Sequence, residues 1–198
     1  MTGGSRIDCV GAYESKARDF LRLRDQSRIG KHVVETWAGS FERGACVIEL
    51  ACGGGYPVTK TLCSAGLRLY AIDSSATLLG EFRMRFPDIP VQCAEVQQCD
   101  FFNRTYDGAV AIGLVFLLTE SEQLALIAEL ARRLRPAGRF LFTAPIEVGV
   151  WKDITTGVMC TSLGQSVYEN HLKRAGFQSV VTLTDSGGNN YYDARLLP

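Results

Sequence analysis

Short apolar runs alternate along the chain with longer segments in which apolar residues recur every three or four positions. The runs have the length and composition of buried strands, and they are predicted at Cys46–Ala51, Arg68–Asp73, Val91–Ala94, Gly108–Gly113 and Arg139–Thr143. The segments between them have the period of helices that cover one face of a sheet. This alternation predicts a parallel sheet with helices on both faces and a ligand crevice beyond the carboxyl ends of its strands.

Helices are predicted between and around these strands. The clearest, Ser121–Leu134, carries one apolar stripe of leucine, isoleucine and alanine. Two more precede the first strand, at Asp8–Arg24 and Lys31–Phe41, and another, Ser162–Ala175, is followed by Gly176. Glycine at that position suits the left-handed turn that often ends a helix.

The C-terminal part of the chain departs from this alternation. Phe177–Thr184 and Tyr191–Leu196 flank a Ser-Gly-Gly-Asn-Asn turn, which predicts a hairpin. Before the last helix lies a long connection, Pro145–Thr161, which contains Trp151. Long connections in compact domains are usually functional or disordered, and a tryptophan argues against disorder. We therefore expect a mobile loop over the crevice, with Trp151 either lining the pocket or filling an apolar gap.

The most informative motif lies where the first predicted strand ends. Gly53, Gly54 and Gly55 follow the apolar run, and glycine lets a backbone turn sharply and approach a ligand closely. The helix after them presents free backbone N–H groups to the same loop. Asp73, about 20 residues further on at the tip of the second strand, is placed to accept both hydroxyls of a ribose. The pattern predicts a cofactor that contains a nucleoside.

This motif departs from the dinucleotide-binding pattern at two points. The three glycines are followed by Tyr56, Pro57 and Val58, so the third glycine of that pattern is absent. Glu49, inside the first strand, would repel a pyrophosphate but would attract a cationic ligand. A nicotinamide-dependent oxidoreductase is therefore disfavoured, and it stays open as an alternative.

With Glu49, Ala51, Cys52, Gly53 and Gly55 in these positions, the motif resembles the E/D-x-G/A-C-G-x-G signature of the class I S-adenosylmethionine-dependent methyltransferases. The resemblance continues in order along the chain and covers about residues 44 to 145. Four further segments carry it: Leu67–Ser74, Cys93–Gln97, Tyr106–Leu118 and Arg135–Pro145.

The resemblance implies an α/β fold, a three-layer α-β-α sandwich with a doubly wound, mostly parallel seven-stranded sheet and a C-terminal antiparallel hairpin. It implies one domain over residues 1–198, with an N-terminal helical segment (1–43), a cofactor-binding core (44–145) and an acceptor side (146–198). It also implies transfer of a methyl group from S-adenosyl-L-methionine to a small-molecule acceptor by in-line displacement. A cofactor-binding protein without transferase activity is a further alternative.

The same resemblance implies which residues bind the cofactor, with Gly113 and Leu114 beside its methionine part. The full set is Tyr13, Glu49, Ala51, Cys52, Gly53, Gly55, Asp73, Ser74, Glu95, Val96, Gln97, Gly113 and Leu114. Tyr13, an aromatic residue of the first helix, is expected to close over the methionine end. Trp151 and Tyr191 are expected to bind the acceptor.

No catalytic base is assigned. The sulfonium methyl of the implied cofactor is electrophilic before the protein acts, so the nucleophile needs desolvation and in-line placement above all. A base is needed only for an acceptor that arrives protonated. The candidates for that role are His171, Tyr13, Tyr191, Tyr192, Asp153 and Glu147.

Composition and charge argue against several classes of protein. The chain has 198 residues, of which 46% are apolar, 21 are basic and 21 acidic, so no global field favours nucleic acid. No apolar run reaches membrane-spanning length and no secretion signal is recognisable, so we expect a cytoplasmic protein, either monomer or homodimer. The seven cysteines form no C-x-x-C pair, and His32 lies far from His171, so we expect reduced thiols and no metal.

Overall fold

The computed structural model describes residues 9–198 of the chain. Its helices are α1 (Cys9–Gln26), α2 (Lys31–Ala38), α3 (Val58–Ser64), α4 (Ala76–Arg85), α5 (Glu120–Arg133) and α6 (Gln165–Arg174). Its strands are β1 (Cys46–Leu50), β2 (Arg68–Asp73), β3 (Val91–Cys93), β4 (Tyr106–Ala111), β5 (Leu134–Thr143), β6 (Val148–Lys152), β7 (Met159–Leu163), β8 (Phe177–Thr184) and β9 (Asn190–Leu196). Short 3-10 helices at Phe101–Asn103 and Val115–Leu117 flank β4. Asp8, where the first helix was predicted to begin, lies outside the described residues.

Seven of these strands form one sheet in the order β3-β2-β1-β4-β5-β9-β8. The first five pair in parallel with their neighbours in that order. Strand β9 runs antiparallel between β5 and β8, because a short turn returns the chain directly from β8. The strand order reverses between β1 and β4, which opens a crevice at their carboxyl ends. The predicted mostly parallel sheet with a C-terminal antiparallel hairpin is confirmed.

Helices cover both faces of this sheet. Helices α5 and α6 pack on one face, and α2, α3 and α4 pack on the other. Their buried side chains are Leu126, Ile127, Leu130, Tyr168 and Leu172 on the first face, and Val33, Val34, Trp37, Val58, Leu62, Leu79 and Phe82 on the second. Because each of these faces contributes an apolar cluster, the sheet stands between two helical layers, as predicted.

Strand β5 is longer at its start than the apolar pattern predicts. It begins at Leu134, which pairs with Tyr106, rather than at Arg139. The register then shifts before Gly108 pairs with Arg139, and within the irregular stretch Ala137 adopts a φ of 62°. A bulged stretch of this kind has no alternating apolar residues, so the sequence pattern does not mark it.

The prediction of an irregular loop at Pro145–Thr161 is wrong. Strands β6 and β7 form a separate two-stranded antiparallel sheet, with Trp151 opposite Cys160. Ser162, where the last helix was predicted to begin, belongs to β7, and α6 starts after Gly164. Exposed and half-buried residues alternate along β6, which is the pattern of a strand with one solvated face. We name this element, residues 148–163, the acceptor hairpin, after the acceptor side that the sequence resemblance leads us to expect at residues 146–198.

Candidate functional site

A cavity of about 440 Å³ lies at the carboxyl ends of β1, β2 and β4, where the strand order reverses. Helix α1 borders it on one side, and the turn of the acceptor hairpin reaches it on another. The sequence-predicted residues that line it are Tyr13, Glu49, Ala51, Cys52, Gly53, Asp73, Ser74, Glu95, Val96, Gln97, Gly113, Leu114 and Tyr191. Gly55 and Trp151 are not among its lining residues.

The turn after β1 brings backbone groups to the cavity. Ala51 has a φ of 56° and Gly53 a φ of 55°, both in the left-handed region, which is strained for alanine. A Cβ on Gly54 would stand 2.2 Å from Cδ2 of Leu21, so glycine there leaves room for α1. The strained backbone of Ala51 and the close packing of α1 on Gly54 lie where a ligand would meet the backbone of the turn.

Gly55 faces away from the cavity, which differs from its predicted role. A Cβ on this residue would stand 2.3 Å from a ring carbon of Phe86, next to α4. The glycine is therefore required by packing against that ring. Gly54 takes its place in the cavity wall. In a run of three glycines, the sequence alone does not reveal which one faces a ligand.

Asp73 is buried and fixes the turn after β1. Its Oδ2 accepts a hydrogen bond from the Gly53 N–H at 2.8 Å, and its Oδ1 accepts one from the Ser75 N–H at 2.8 Å. Burial raises the pKa of this carboxyl, although these hydrogen bonds oppose the shift. The N-cap of α4 is Ser75, whose Oγ accepts a hydrogen bond from the Leu78 N–H. Each carboxylate oxygen has a second lone pair available for a ligand hydroxyl.

Glu49 is a buried carboxyl at the centre of the site. Its Oε2 accepts a 2.6 Å hydrogen bond from Thr59 Oγ1. The pKa of Glu49 is raised to about 8, mainly by burial and to a smaller extent by the nearby Asp73, while the Thr59 hydrogen bond and Arg24 act in the opposite direction. At neutral pH this carboxyl is therefore largely protonated until a cation is placed beside it.

One face of α1 supplies side chains that sequence analysis largely missed. Tyr13, Phe20 and Arg24 all line the cavity, and Ala17 on the same face is buried. The rings of Tyr13 and Phe20 pack edge to face with centroids 5.9 Å apart. Burial lowers the pKa of Arg24, which lies near Glu49. The spacing of three and four residues along this face is a signal that a helical projection of the sequence would have revealed.

Polar contacts at both ends hold α1 against α4. Near its start, the Glu14 carboxylate accepts hydrogen bonds from the Ser75 hydroxyl and, at 3.3 Å, from the Thr77 N–H. Near its end, Asp25 pairs with Arg85 at 2.7 Å, and Arg85 also donates to the Gly54 carbonyl at 3.1 Å. Because Arg85 bonds to both Asp25 and Gly54, it links the end of α1 to the glycine turn.

The end of the cavity beside β3 combines apolar walls with polar edges. Glu95, Val96 and Gln97 line it together with Leu118. Gln97 Nε2 donates a 3.2 Å hydrogen bond to Glu122 Oε1, which also lines the cavity and was not predicted. Such a slot, apolar above and below with donors and acceptors at its rim, suits a planar heterocycle.

The opposite end lies between the tip of β4 and the acceptor hairpin. The Gly113 N–H donates a 2.7 Å hydrogen bond to Thr143 Oγ1, which fixes the backbone after β4. The side chains of Leu114 and Phe116 form an apolar part of the cavity wall there, and Asp153 contributes a carboxylate from the hairpin turn. Phe116 was missed because no pattern distinguishes it from the apolar run around it.

Trp151 stands behind the cavity wall, which differs from its predicted position. Its ring is half-buried and packs against Phe116, with centroids 5.6 Å apart. Phe116, which lines the cavity, therefore separates the tryptophan from it. The contact joins the acceptor hairpin to the 3-10 helix after β4.

Tyr191 is buried and lines the side of the cavity next to α1. Its hydroxyl donates a 2.7 Å hydrogen bond to Asp185 Oδ2, and burial raises its pKa. A Cβ on Gly30 would stand 2.3 Å from this hydroxyl oxygen. Asn189, which lines the cavity beside Tyr191, donates its backbone N–H to Asp185 Oδ1.

Three of the candidate bases lie away from the cavity. His171 Nε2 is 3.1 Å from the Leu124 carbonyl, outside the lining residues. Tyr192 stacks on Phe142 within the core, with centroids 4.9 Å apart. Glu147 is exposed and does not line the cavity. Of the candidates, only the two lining tyrosines and the hairpin aspartate face the space where a ligand would bind.

Two searches of the described part of the chain gave negative results. Within residues 9–198, no three His, Cys, Asp or Glu side chains converge as a metal site would require. The same residues include no helix whose length and apolar content would carry it across a bilayer.

Comparison with known proteins places this geometry in context. Residues 47–138 match the family model described as a methyltransferase domain. No curated protein sequence matches the chain. The family match spans β1 to the start of β5, which is the part of the fold that forms most of the cavity.

Solved structures share the fold over nearly the whole chain. One is the 1,6-didemethyltoxoflavin-N1-methyltransferase of Burkholderia thailandensis with 1,6-didemethyltoxoflavin and S-adenosylhomocysteine, at 14% identity, covering 100% of this chain and 93% of that one, TM-score 0.77. A second is the magnesium protoporphyrin IX methyltransferase of Synechocystis PCC 6803 with S-adenosylmethionine, at 15% identity, covering 99% and 100%, TM-score 0.75. A third is the cyclase SpnF, at 13% identity, covering 84% and 81%, TM-score 0.66. Identities this low establish the fold alone.

Proposed function

We propose that this chain, whose residues 47–138 match a methyltransferase-domain family, is a class I S-adenosylmethionine-dependent methyltransferase that transfers the cofactor's methyl group to a small-molecule acceptor. The observation that carries the proposal is the charge of the cavity. Among the described lining residues, five carry carboxyl groups, Glu49, Asp73, Glu95, Glu122 and Asp153, against one arginine, Arg24. The raised pKa of Glu49 means that this carboxyl adds its charge when a cation binds beside it. A cavity of that sign suits a cofactor with a sulfonium cation and an ammonium group.

The residues of the site fit the parts of this cofactor in order. Asp73 would accept the ribose hydroxyls through its second lone pairs while it holds the glycine turn. The slot at Glu95–Gln97 would take the adenine. Glu49 and Arg24 would provide an acidic and a basic group, suited to the ammonium and the carboxylate of the methionine part respectively. These assignments are proposals that rest on the lining residues and their hydrogen bonds.

Glu49 also distinguishes this cofactor from a nicotinamide dinucleotide. Its pKa of about 8 falls when a cation binds beside it, because the ionised form is then stabilised. A pyrophosphate would instead raise the pKa of Glu49, and its negative charge would also be repelled by Asp73. The oxidoreductase alternative therefore has no supporting observation in this site.

The transfer step places modest demands on the protein. When bound, S-adenosylmethionine supplies an electrophilic methyl group on a sulfonium, with S-adenosylhomocysteine as the leaving thioether. Leu114 and Phe116 exclude water from the end of the cavity where the acceptor would lie, so a nucleophile there is desolvated. Tyr13 and Phe20 from α1 cover the opposite side. The protein thus contributes orientation and a dry environment above all.

Transfer itself is the part of the proposal that needs an assay, since the cyclase SpnF has the same fold. The protein should be incubated with S-adenosylmethionine labelled in its methyl group and with a panel of apolar small molecules bearing amine or hydroxyl groups. Release of S-adenosylhomocysteine together with label in one acceptor is the expected result. Tight cofactor binding without turnover of any acceptor would favour a binding protein. A cytoplasmic location and a monomeric or homodimeric state remain predictions.

A further inference from the structure

We propose that Asp153 recognises the methyl acceptor, and that the acceptor is an apolar amine. The inference rests on the proposed methyl transfer and specifies its substrate class. Asp153 lies in the turn of the acceptor hairpin and lines the cavity. It was only one of six candidate bases by sequence, and its position now gives it a defined role.

The turn of the hairpin fixes one oxygen of Asp153 and leaves the other available. Oδ1 accepts hydrogen bonds from the N–H groups of Thr155 at 3.1 Å and Thr156 at 2.7 Å, and from the Thr156 hydroxyl at 2.7 Å. The backbone is held as well, through bonds from Asp153 N–H to Val158 and from Gly157 N–H to Asp153. Within residues 9–198, Oδ2 takes part in no hydrogen bond and no Lys or Arg pairs with the carboxylate. The side chain is therefore oriented before a ligand binds.

Beyond the threonines of its own turn, Asp153 lies close enough to Tyr13 and Cys160 for its charge, after burial, to raise the pKa of both. Leu114 and Phe116 form the wall. Arg24, the one basic side chain among the described lining residues, lies on the other side near Glu49. An anionic acceptor would thus meet a carboxylate with no cation to offset it, whereas an N–H donor would gain a charge-assisted hydrogen bond.

The sign of the charge that develops during transfer selects an amine over an oxygen anion. The amine arrives as an ammonium ion paired with Asp153 Oδ2 and passes one proton to water. Its freed lone pair then forms the C–N bond, and the S–C bond breaks with its electrons on sulfur. The product is an ammonium ion beside a carboxylate, which stabilises it, and its proton passes to water after release. An oxygen acceptor that reacts as its anion would instead bring negative charge next to Asp153, which the carboxylate opposes.

The test uses benzylamine and benzoate as probes of equal shape and opposite charge. With S-adenosylhomocysteine saturating, their affinities are measured by calorimetry for the native protein, for Asp153→Asn and for Asp88→Asn. In Asp153→Asn the side chain keeps an oxygen for the Thr155 and Thr156 N–H groups, loses its charge and carries an NH2 donor in place of Oδ2. Asp88 is exposed and does not line the cavity, so its variant is the matched control.

We expect the native protein and the Asp88 variant to prefer benzylamine by about tenfold or more, and Asp153→Asn to lose that preference. Equal binding of both probes to the native protein would overturn the inference, as would an unchanged preference in Asp153→Asn. The affinity for S-adenosylhomocysteine shows whether the proposed function or only the amine assignment has failed. If it does not bind the native protein, the proposed function fails; if it binds normally and the preference is absent, only the assignment of the amine fails.

Discussion

The two halves of the cavity are built in different ways. In the proposed cofactor half, Asp73 and Glu49 are buried and hydrogen-bonded to the turn and helix that follow β1, so each residue supports the fold and, on our proposal, would also bind a ligand. In the acceptor half, Leu114 and Phe116 provide apolar wall, and Asp153 stands on a small hairpin outside the main sheet. Changes in the first half should therefore alter stability and cofactor binding together. Changes in the second should affect the acceptor and leave the cofactor site intact.

The largest expected effect of this difference is the pH dependence that Glu49 gives to stability. The carboxyl titrates at its ordinary value of 4.5 in the unfolded chain and at about 8 in the folded protein. Between those values the folded state keeps a proton that the unfolded state has lost, so stability falls as the pH rises. The slope approaches about 1.4 kcal/mol per pH unit and levels off above the folded pKa.

Urea unfolding of the native protein and of Glu49→Gln across this pH range measures that contribution. The glutamine keeps an oxygen for the Thr59 hydroxyl and cannot ionise, so the free energy of unfolding should decline less steeply in the variant. Because burial also raises the pKa of Asp73, the native curve alone is insufficient, and the difference between the two proteins is the relevant quantity. Parallel curves for the two proteins would show that Glu49 is not buried as described.

The next effect is the loss of cofactor affinity in Asp73→Ala. Removal of a carboxylate that accepts the ribose hydroxyls should weaken S-adenosylhomocysteine binding by about 2–3 kcal/mol. The melting temperature should fall too, because the N–H groups of Gly53 and Ser75 lose their acceptor. Asp88→Ala, at an exposed position, is the control. A folded Asp73→Ala protein with unaltered affinity would limit the aspartate to its role in the turn.

The smallest effect is expected in the acceptor half, from Trp151→Ala. The ring is half-buried, so its loss should cost about 1–2 kcal/mol of stability, less than the 3–5 kcal/mol typical of a fully buried aromatic. S-adenosylhomocysteine affinity should stay constant, while methyl transfer should slow because Phe116 and the hairpin lose their support. Trp37→Ala, at a buried position of α2, is the matched change with the larger cost. A drop in cofactor affinity in Trp151→Ala would contradict the separation of the halves.

The same contrast explains how much the sequence could predict. Apart from the side chains of α1, the cofactor half lies largely within one continuous stretch of strands and turns. The alternation of apolar runs and helical periods there was enough to predict the parallel sheet and its crevice, and the spacing of Glu49, the glycines and Asp73 predicted a nucleoside-containing cofactor. Within that half, the error at Gly55 arose because packing against Phe86 imposes the same requirement for glycine as a ligand does.

The acceptor half depends on contacts between residues distant in sequence. Phe116 and Trp151 meet only once the hairpin has folded onto the segment after β4, and no local pattern records that contact. The hairpin itself was readable in principle, since Val148 and Val150 alternate with less exposed residues. Its strands of five residues are too short to stand out beside the helix that follows.

The most direct test of the central claim is a calorimetric titration of the native protein with S-adenosylhomocysteine and, separately, with NAD. We predict saturable binding of S-adenosylhomocysteine, a rise in melting temperature on its addition, and no saturable heat from NAD. Saturable binding of NAD with no response to S-adenosylhomocysteine would contradict the assignment of the cavity and every proposal built on it.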